Sequence, residues 1–259
     1  MASDNIAKYA DMLFEAEQNR KAFPPLTDQD STLTVEDAYQ IQLHNIKRAE
    51  GMGHVICGKK IGLTSEGIQK QMGVHEPDYG HLFEAMDCKD GKLKSDELIQ
   101  PRIEAEMAFI LKGDLAGGNI TKEDVIANTE YVVAAFEVVD SRLADWKIKL
   151  PDTVADNASS GRYVLGSTRF KPDGIDLSAV TMKLYKNGEL IGEGSGAAVQ
   201  GDPTIAVAWL ANKMWSFGVT LKAGEVILSG AFSAAPPAQK GDVFIADFSS
   251  FGEVKAEFI

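Results

Sequence analysis

Pro101-Arg102-Ile103-Glu104-Ala105-Glu106-Met107-Ala108-Phe109-Ile110-Leu111 reads as a β-strand carrying two acidic residues. Side chains alternate across a strand, so Glu104 and Glu106 point the same way. A second apolar run, Tyr131-Val132-Val133-Ala134-Ala135-Phe136-Glu137-Val138-Val139-Asp140, has one more carboxylate, Glu137, in its middle. This run has the pattern of a strand buried on both faces. Acidic side chains are rarely buried without a partner, and three on neighbouring strands repel one another. A hard divalent cation removes that repulsion, since Mg²⁺ takes a few carboxylates and leaves its other positions to water or substrate oxygens. Glu104 and Glu106 alone would fit a strand with one solvated face. Glu137 in its apolar surroundings argues for the metal.

At 259 residues the chain is long enough for one large domain, or a domain with a smaller cap. A net charge of -12 and the lack of a basic patch argue against nucleic acid. No apolar run has the length of a membrane span, and the N-terminus has no signal-peptide pattern. Cys57 and Cys88 are not spaced as a zinc motif and suggest reduced thiols in the cytoplasm. The four histidines form no metal-binding cluster.

Ile6, Tyr9, Leu13 and Phe14 recur at helical spacing, and Phe23-Pro24-Pro25 ends that helix. A second helix opens at Thr34-Val35-Glu36-Asp37 and stops near Gly51-Met52-Gly53. Thr121-Lys122-Glu123-Asp124 caps a short one. Later, Lys186-Asn187-Gly188-Glu189 signals a hairpin, and Asp202-Pro203 opens a helix that Gly218 ends. The expected fold is α+β: a helical N-terminal cap on a large mixed β structure. The cap would span residues 1–72 and a metal-binding, β-rich catalytic region 73–259, or the two would run on as one domain.

Four further segments invite chemistry. Gly58-Lys59-Lys60-Ile61-Gly62-Leu63-Thr64-Ser65 is either a surface turn with solvated lysines or a place where one lysine faces an anionic substrate. Glu76-Pro77-Asp78-Tyr79-Gly80-His81-Leu82-Phe83 looks by itself like a turn. Asp152 to Gly161 is a polar stretch that hydrogen-bonds either itself or a ligand. Leu228-Ser229-Gly230-Ala231-Phe232-Ser233 ends a strand in small residues that admit close backbone approach.

Taken together, Lys60-Ile61-Gly62-Leu63-Thr64, Pro77-Asp78-Tyr79-Gly80, the Glu104/Glu106 strand, Glu137-Val138-Val139-Asp140-Ser141-Arg142 and Val154-Ala155-Asp156-Asn157-Ala158 resemble the fumarylacetoacetate hydrolase superfamily. The resemblance covers nearly the whole chain. It is closest to the branch of 2-keto-4-pentenoate hydratases and 4-oxalocrotonate decarboxylases, which implies a β-sandwich or roll of that family's type. It also implies that Glu104, Glu106 and Glu137 bind Mg²⁺ or Mn²⁺, that Lys60 rather than Lys59 lies in the active site, and that Asp140 and Arg142 form a structural pair. Family members are homo-oligomers.

Two lyase reactions follow from the resemblance. A hydratase of 2-hydroxypenta-2,4-dienoate protonates the carbon chain and adds water at C4, giving 4-hydroxy-2-oxopentanoate. A decarboxylase of 2-oxo-3-hexenedioate expels its far carboxylate and needs no water. Asp78 favours the hydratase, as the group that handles the proton or positions the water. The patterns Gly194 to Val199 and Ser233 to Lys240 resemble the decarboxylases and the hydratases of longer diacids such as 2-oxohept-4-ene-1,7-dioate. A C–C hydrolase of acylpyruvates is disfavoured, because no counterpart of its usual His-Glu lid dyad is present. A pure scaffold is disfavoured by the three carboxylates kept beside Lys60. A chelated 2-oxo acid still has lone pairs to satisfy, so Ser160 and the Gly230-Ala231 backbone are expected to hydrogen-bond it.

Overall fold

The computed structural model describes residues 3–259. Three helices open the chain: α1 (Ser3–Asn19), α2 (Leu26–Gln29) and α3 (Val35–Gly51). β1 (Ile56–Gly62), α4 (Glu66–Met72), β2 (Asp78–Phe83) and β3 (Lys92–Leu93) follow. Next come β4 (Arg102–Leu111), α5 (Lys122–Asn128), β5 (Thr129–Val139), α6 (Leu150–Ala155) and β6 (Ser160–Leu165). The last third holds β7 (Thr181–Lys186), β8 (Glu189–Ser195), α7 (Pro203–Ser216), β9 (Val226–Leu228), β10 (Val243–Asp247) and β11 (Glu253–Phe258).

Local chemistry sets the element ends. Thr34 and Asp37 form a reciprocal cap on α3, and Thr121 and Asp124 do the same on α5. The Asp202 side chain accepts from the Thr204 amide, with Pro203 in the first turn of α7. Asn187 and Gly188 take φ of 52° and 86°, the left-handed pair that a tight β7–β8 hairpin requires.

The strands form a six-stranded sheet, β2-β1-β9-β4-β5-β6, and a five-stranded sheet, β3-β11-β10-β7-β8. The larger sheet is curled, and its edge strands β2 and β6 touch. Period-two alternation then gives it two unlike faces. Ile61, Tyr79, Ile103, Ala105, Met107, Phe109, Phe136 and Val138 face outward into the main core. Leu82, Ala108, Val133, Ala135, Tyr163 and Leu228 face inward and fill one end of the roll. The helices are fastened to the roll by Gln42 of α3, whose amide donates to the Tyr79 carbonyl at 3.1 Å and the Val154 carbonyl at 2.9 Å.

The helical cap on mixed β structure is the architecture expected from the sequence. Some details differ. The Gly58 segment is strand β1 with both lysines buried, and the Glu76 segment becomes β2, buried throughout. The Asp152 stretch begins as α6 because Asp152 accepts from the Lys149 amide at 2.9 Å and from Thr27, tying α6 to α2. β1 lies within residues 1–72 yet sits between β2 and β9, so a boundary after residue 72 would part it from both neighbours. That topology fits one continuous domain. Among the described residues no helix is long and apolar enough to cross a membrane.

Candidate active site

The other end of the roll's inner face is polar. Glu104 and Glu106 lie four and two residues before inward-facing Ala108, and Glu137 two residues beyond Ala135. Glu104 pairs directly with Glu137 across the β4–β5 ladder. One oxygen from each of Glu104, Glu106 and Glu137 lies within 4.8 Å of the others. Lys60 and Asp78 reach the same place from β1 and β2. These groups surround a cleft of about 640 Å³, with Lys60, Asp78 and Glu104 on its wall. Glu106 and Glu137 are fully buried behind them.

Lys60 Nζ donates to the Ala158 carbonyl at 2.9 Å and stands 3.0 Å from Glu137 Oε1. Apart from that ion pair, both Glu137 oxygens are buried without a hydrogen-bond partner, as is Glu106 Oε1. Lys59 points to the outer face, where it pairs with Glu225 at 2.8 Å. Strand alternation therefore puts Lys60, and not Lys59, in the cleft.

Burial disfavours the charged form of every carboxylate here. Glu106 is pushed well above the usual range by desolvation and then by Glu137 and Glu104. Glu104 is also raised by burial, with Lys60 opposing. Glu137 rises to about 7, again from burial and with Lys60 the main opposing influence. Burial lowers the Lys60 pKa, but Glu137, Glu104, Asp78 and Glu106 outweigh it and the net shift is upward. The Asp78 carboxyl is raised by burial against the pull of Lys60. Thr153 donates to Asp78 Oδ2 at 3.3 Å, and Oδ1 is buried without a partner.

Strained backbone gathers at this end. Leu63, Asp145, Trp146, Asn157, Ala158 and Ser159 all have positive φ, three of them in succession. The turn is held by Asn157, whose side chain exchanges bonds of 2.7 and 2.9 Å with the His81 backbone. Arg142 also grips it, donating to the Ser160 carbonyl at 2.9 Å and to Asp156. The strain sets the Ala158 carbonyl against Lys60.

Two expected substrate ligands are engaged within the protein itself. Ser160 Oγ donates to the Asn157 carbonyl at 2.8 Å and lines a separate cavity beside Arg142 and Arg162. The left-handed turn rotates it out of the cleft, and Ala158 and Ser159 occupy the wall instead. The Gly230 N–H is already engaged, donating to Glu106 Oε2 at 2.8 Å. Ala231 does line the cleft. Arg102, Thr64, Trp146 and Thr153, to which the sequence motifs assign no site role, also line it. For Arg102 the signal was present, since it lies two residues before Glu104 on the same strand face.

The donor set fits a hard divalent cation: three carboxylates, with orphaned oxygens on Glu106 and Glu137. A spread of 4.8 Å lies inside the shell of a Ca²⁺-sized ion. It exceeds by a few tenths of an ångström the roughly 4.2 Å that opposite ligands of Mg²⁺ span.

Residues 93–259 match the model of the fumarylacetoacetate (FAA) hydrolase C-terminal family. The chain is 49% identical over 249 residues to 2-hydroxyhexa-2,4-dienoate hydratase of Comamonas testosteroni, a match covering 95% of this chain and 94% of that protein. It is 47% identical over 250 residues to 2-keto-4-pentenoate hydratase of Paraburkholderia xenovorans (strain LB400), covering 96% and 93%. Among solved structures, 4-oxalocrotonate decarboxylase from Pseudomonas putida G7, complexed with magnesium and adipate, superposes with a TM-score of 0.96 at 36% identity over 100% of this chain and 99% of that one.

Proposed function

The chain belongs to the fumarylacetoacetate hydrolase family, and from that premise we propose that it is a hydro-lyase adding water to 2-hydroxypenta-2,4-dienoate (2-keto-4-pentenoate) to give 4-hydroxy-2-oxopentanoate. The observation that carries this reading is Asp78, a buried carboxyl with a free Oδ1 on the same cleft as Glu104 and Lys60. The names of the relatives at 47–49% identity support it.

Glu104, Glu106 and Glu137 would hold Mg²⁺ or Mn²⁺. When bound, the ion supplies a Lewis acid for the carboxylate and 2-oxygen of a 2-oxo acid. Lys60, fixed by the Ala158 carbonyl, puts positive charge where the 2-oxygen gains negative charge. Asp78, raised by burial, is suited to hold a proton and deliver it to the carbon chain, or to position the water for C4. The Ala231 backbone on the cleft wall can meet a remaining substrate oxygen. The same reading makes the protein a cytoplasmic homo-oligomer. Free Cys57 and Cys88 fit a reducing compartment, and exposed Trp215 and Phe217 at the end of α7 fit association between copies.

A second reading is decarboxylation of 2-oxo-3-hexenedioate, supported by the 0.96 TM-score to the decarboxylase. Hydration of a longer diacid stands beside it, with Ser233 on the cleft wall. Offering 2-hydroxypenta-2,4-dienoate and 2-oxo-3-hexenedioate side by side with Mg²⁺ separates them. Loss of dienol absorbance with hydroxyketone formation supports the hydratase. CO₂ release supports the decarboxylase.

A further inference from the structure

Arg102 stands two residues before Glu104 on β4, so its side chain leaves the same face about 7 Å along the strand. It lines the cleft. Trp146 covers the guanidinium, with Cζ 5.2 Å from the ring centroid, and is itself held by Nε1 donating to the Gln100 carbonyl at 3.1 Å. A guanidinium offers five N–H donors in a rigid fork. Arg102 uses Nη1 on the Ala235 carbonyl at 3.2 Å, while Nε is buried without a partner. Its charge also acts on the neighbouring Glu104, favouring the ionised carboxylate. Arg142 is the contrast: its donors are taken up by Asp156, the Asp140 carbonyl and the Ser160 carbonyl. One arginine spends four of its five donors as a brace; the other has donors to spare at a cleft wall.

We infer that Arg102 pairs with the C1 carboxylate oxygen that a bound cation would leave free, and thereby fixes the direction in which the 2-oxo acid substrate lies. This rests on the hydratase reading. Asp78 emerges from β2, three places from β4 in the sheet order, so it and Arg102 flank the carboxylate cluster from different walls. An anionic head group is attracted to the guanidinium, whereas the buried Asp78 carboxyl, which favours its proton, offers it no such charge. The head therefore goes to Arg102, and the uncharged carbon chain runs toward Asp78, where a proton must be delivered. A monoacid satisfies both walls. A diacid lying the same way would bring its second carboxylate against Asp78.

The test uses the Mg²⁺-saturated full chain and two non-reacting probes, 2-oxopentanoate and its neutral amide 2-oxopentanamide, titrated calorimetrically. Wild type should prefer the acid. Arg102→Gln should weaken the acid by ~10- to 100-fold, the worth of a charge-assisted fork, and the amide by less than ~3-fold. Mg²⁺ affinity should stay within ~3-fold of wild type, and Arg102→Lys should recover part of the acid binding. Unchanged acid binding in Arg102→Gln overturns the assignment, as do equal losses for acid and amide or a parallel loss of Mg²⁺. Should Arg102→Gln not fold, Arg102→Lys carries the test: a partial loss confined to the acid supports the assignment, and no loss overturns it. Dienoate hydration by wild type is followed separately. Failure there removes the hydratase reading but leaves the binding result standing.

Discussion

Lys60 Nζ lies 3.0 Å from Glu137 Oε1 although β9 and β4 separate their strands. Three strand spacings span roughly 14 Å on a flat sheet, so the curl of the roll is what brings the two side chains together. The same curl gathers Asp78, Glu104, Glu106 and Glu137 around that single ammonium. With all four ionised, three negative charges remain uncompensated in a place where water is scarce. Burial first, and mutual repulsion among Glu104, Glu106 and Glu137 after it, raises the carboxyls and favours their protonated forms. A divalent cation would relieve the charge with the carboxylates ionised.

Glu106→Gln tests the cation directly. The amide keeps an oxygen for the Gly230 N–H and removes one unit of charge, so the fold should persist. Mg²⁺ should raise the thermal midpoint of wild type and leave the variant unmoved, with turnover down by at least ~10²-fold. Equal Mg²⁺ stabilisation in both proteins would remove Glu106 from the metal site.

Asp78→Asn separates proton handling from metal binding. Thr153 retains an acceptor, so packing should change little. The variant should lose ~10²–10⁴-fold in kcat while Mg²⁺ still stabilises it. Hydration at the wild-type rate would shift the argument toward decarboxylation.

His81 carries a pH dependence away from the metal cluster. It is buried with Nδ1 unpaired, and burial, then Lys59, lowers its pKa to about 3. The unfolded chain binds the proton near pH 6.5 and the folded chain does not. Stability from this group is thus complete above pH 6.5 and is lost as pH falls toward 3. The slope approaches ~1.4 kcal/mol per pH unit, or roughly 2 kcal/mol between pH 6.5 and 5. Urea unfolding at saturating Mg²⁺ should show this loss in wild type and not in His81→Gln. Parallel pH profiles for the two proteins would mean that His81 does not titrate as argued.

The acidic strands were legible because a carboxylate inside an apolar run is visible residue by residue, and the long helices because Thr34, Asp37 and Asp202 mark their ends. α4 and α6, of seven and six residues, are too short for periodicity to declare them. The curl depends on β2 meeting β6, a contact between distant segments that no local pattern encodes. The setting of Ser160 is hidden for a related reason. Asn157, Ala158 and Ser159 carry no glycine to announce a left-handed turn, so the direction of the Ser160 side chain is not legible from the residues alone. Arg102 needed only the alternation already applied to Glu104.

Gly230 is where backbone conformation and the metal site meet. Its φ is 116°, and an added Cβ would fall 2.4 Å from Thr64 Oγ1 and 2.5 Å from Thr64 Cγ2. Thr64 is buried and has no room to yield. Gly230→Ala should therefore cost about 2–4 kcal/mol of stability, from backbone strain and overpacking together. Because the Gly230 N–H holds Glu106 Oε2, any shift that relieves the clash also moves a metal ligand, and Mg²⁺ stabilisation should fall as well. Thr64→Ala removes the two atoms nearest the new methyl group. In a double-mutant cycle it should return part of the loss, because the two positions touch. A Gly230→Ala protein with wild-type stability and wild-type Mg²⁺ response would show that this backbone does not set the position of Glu106.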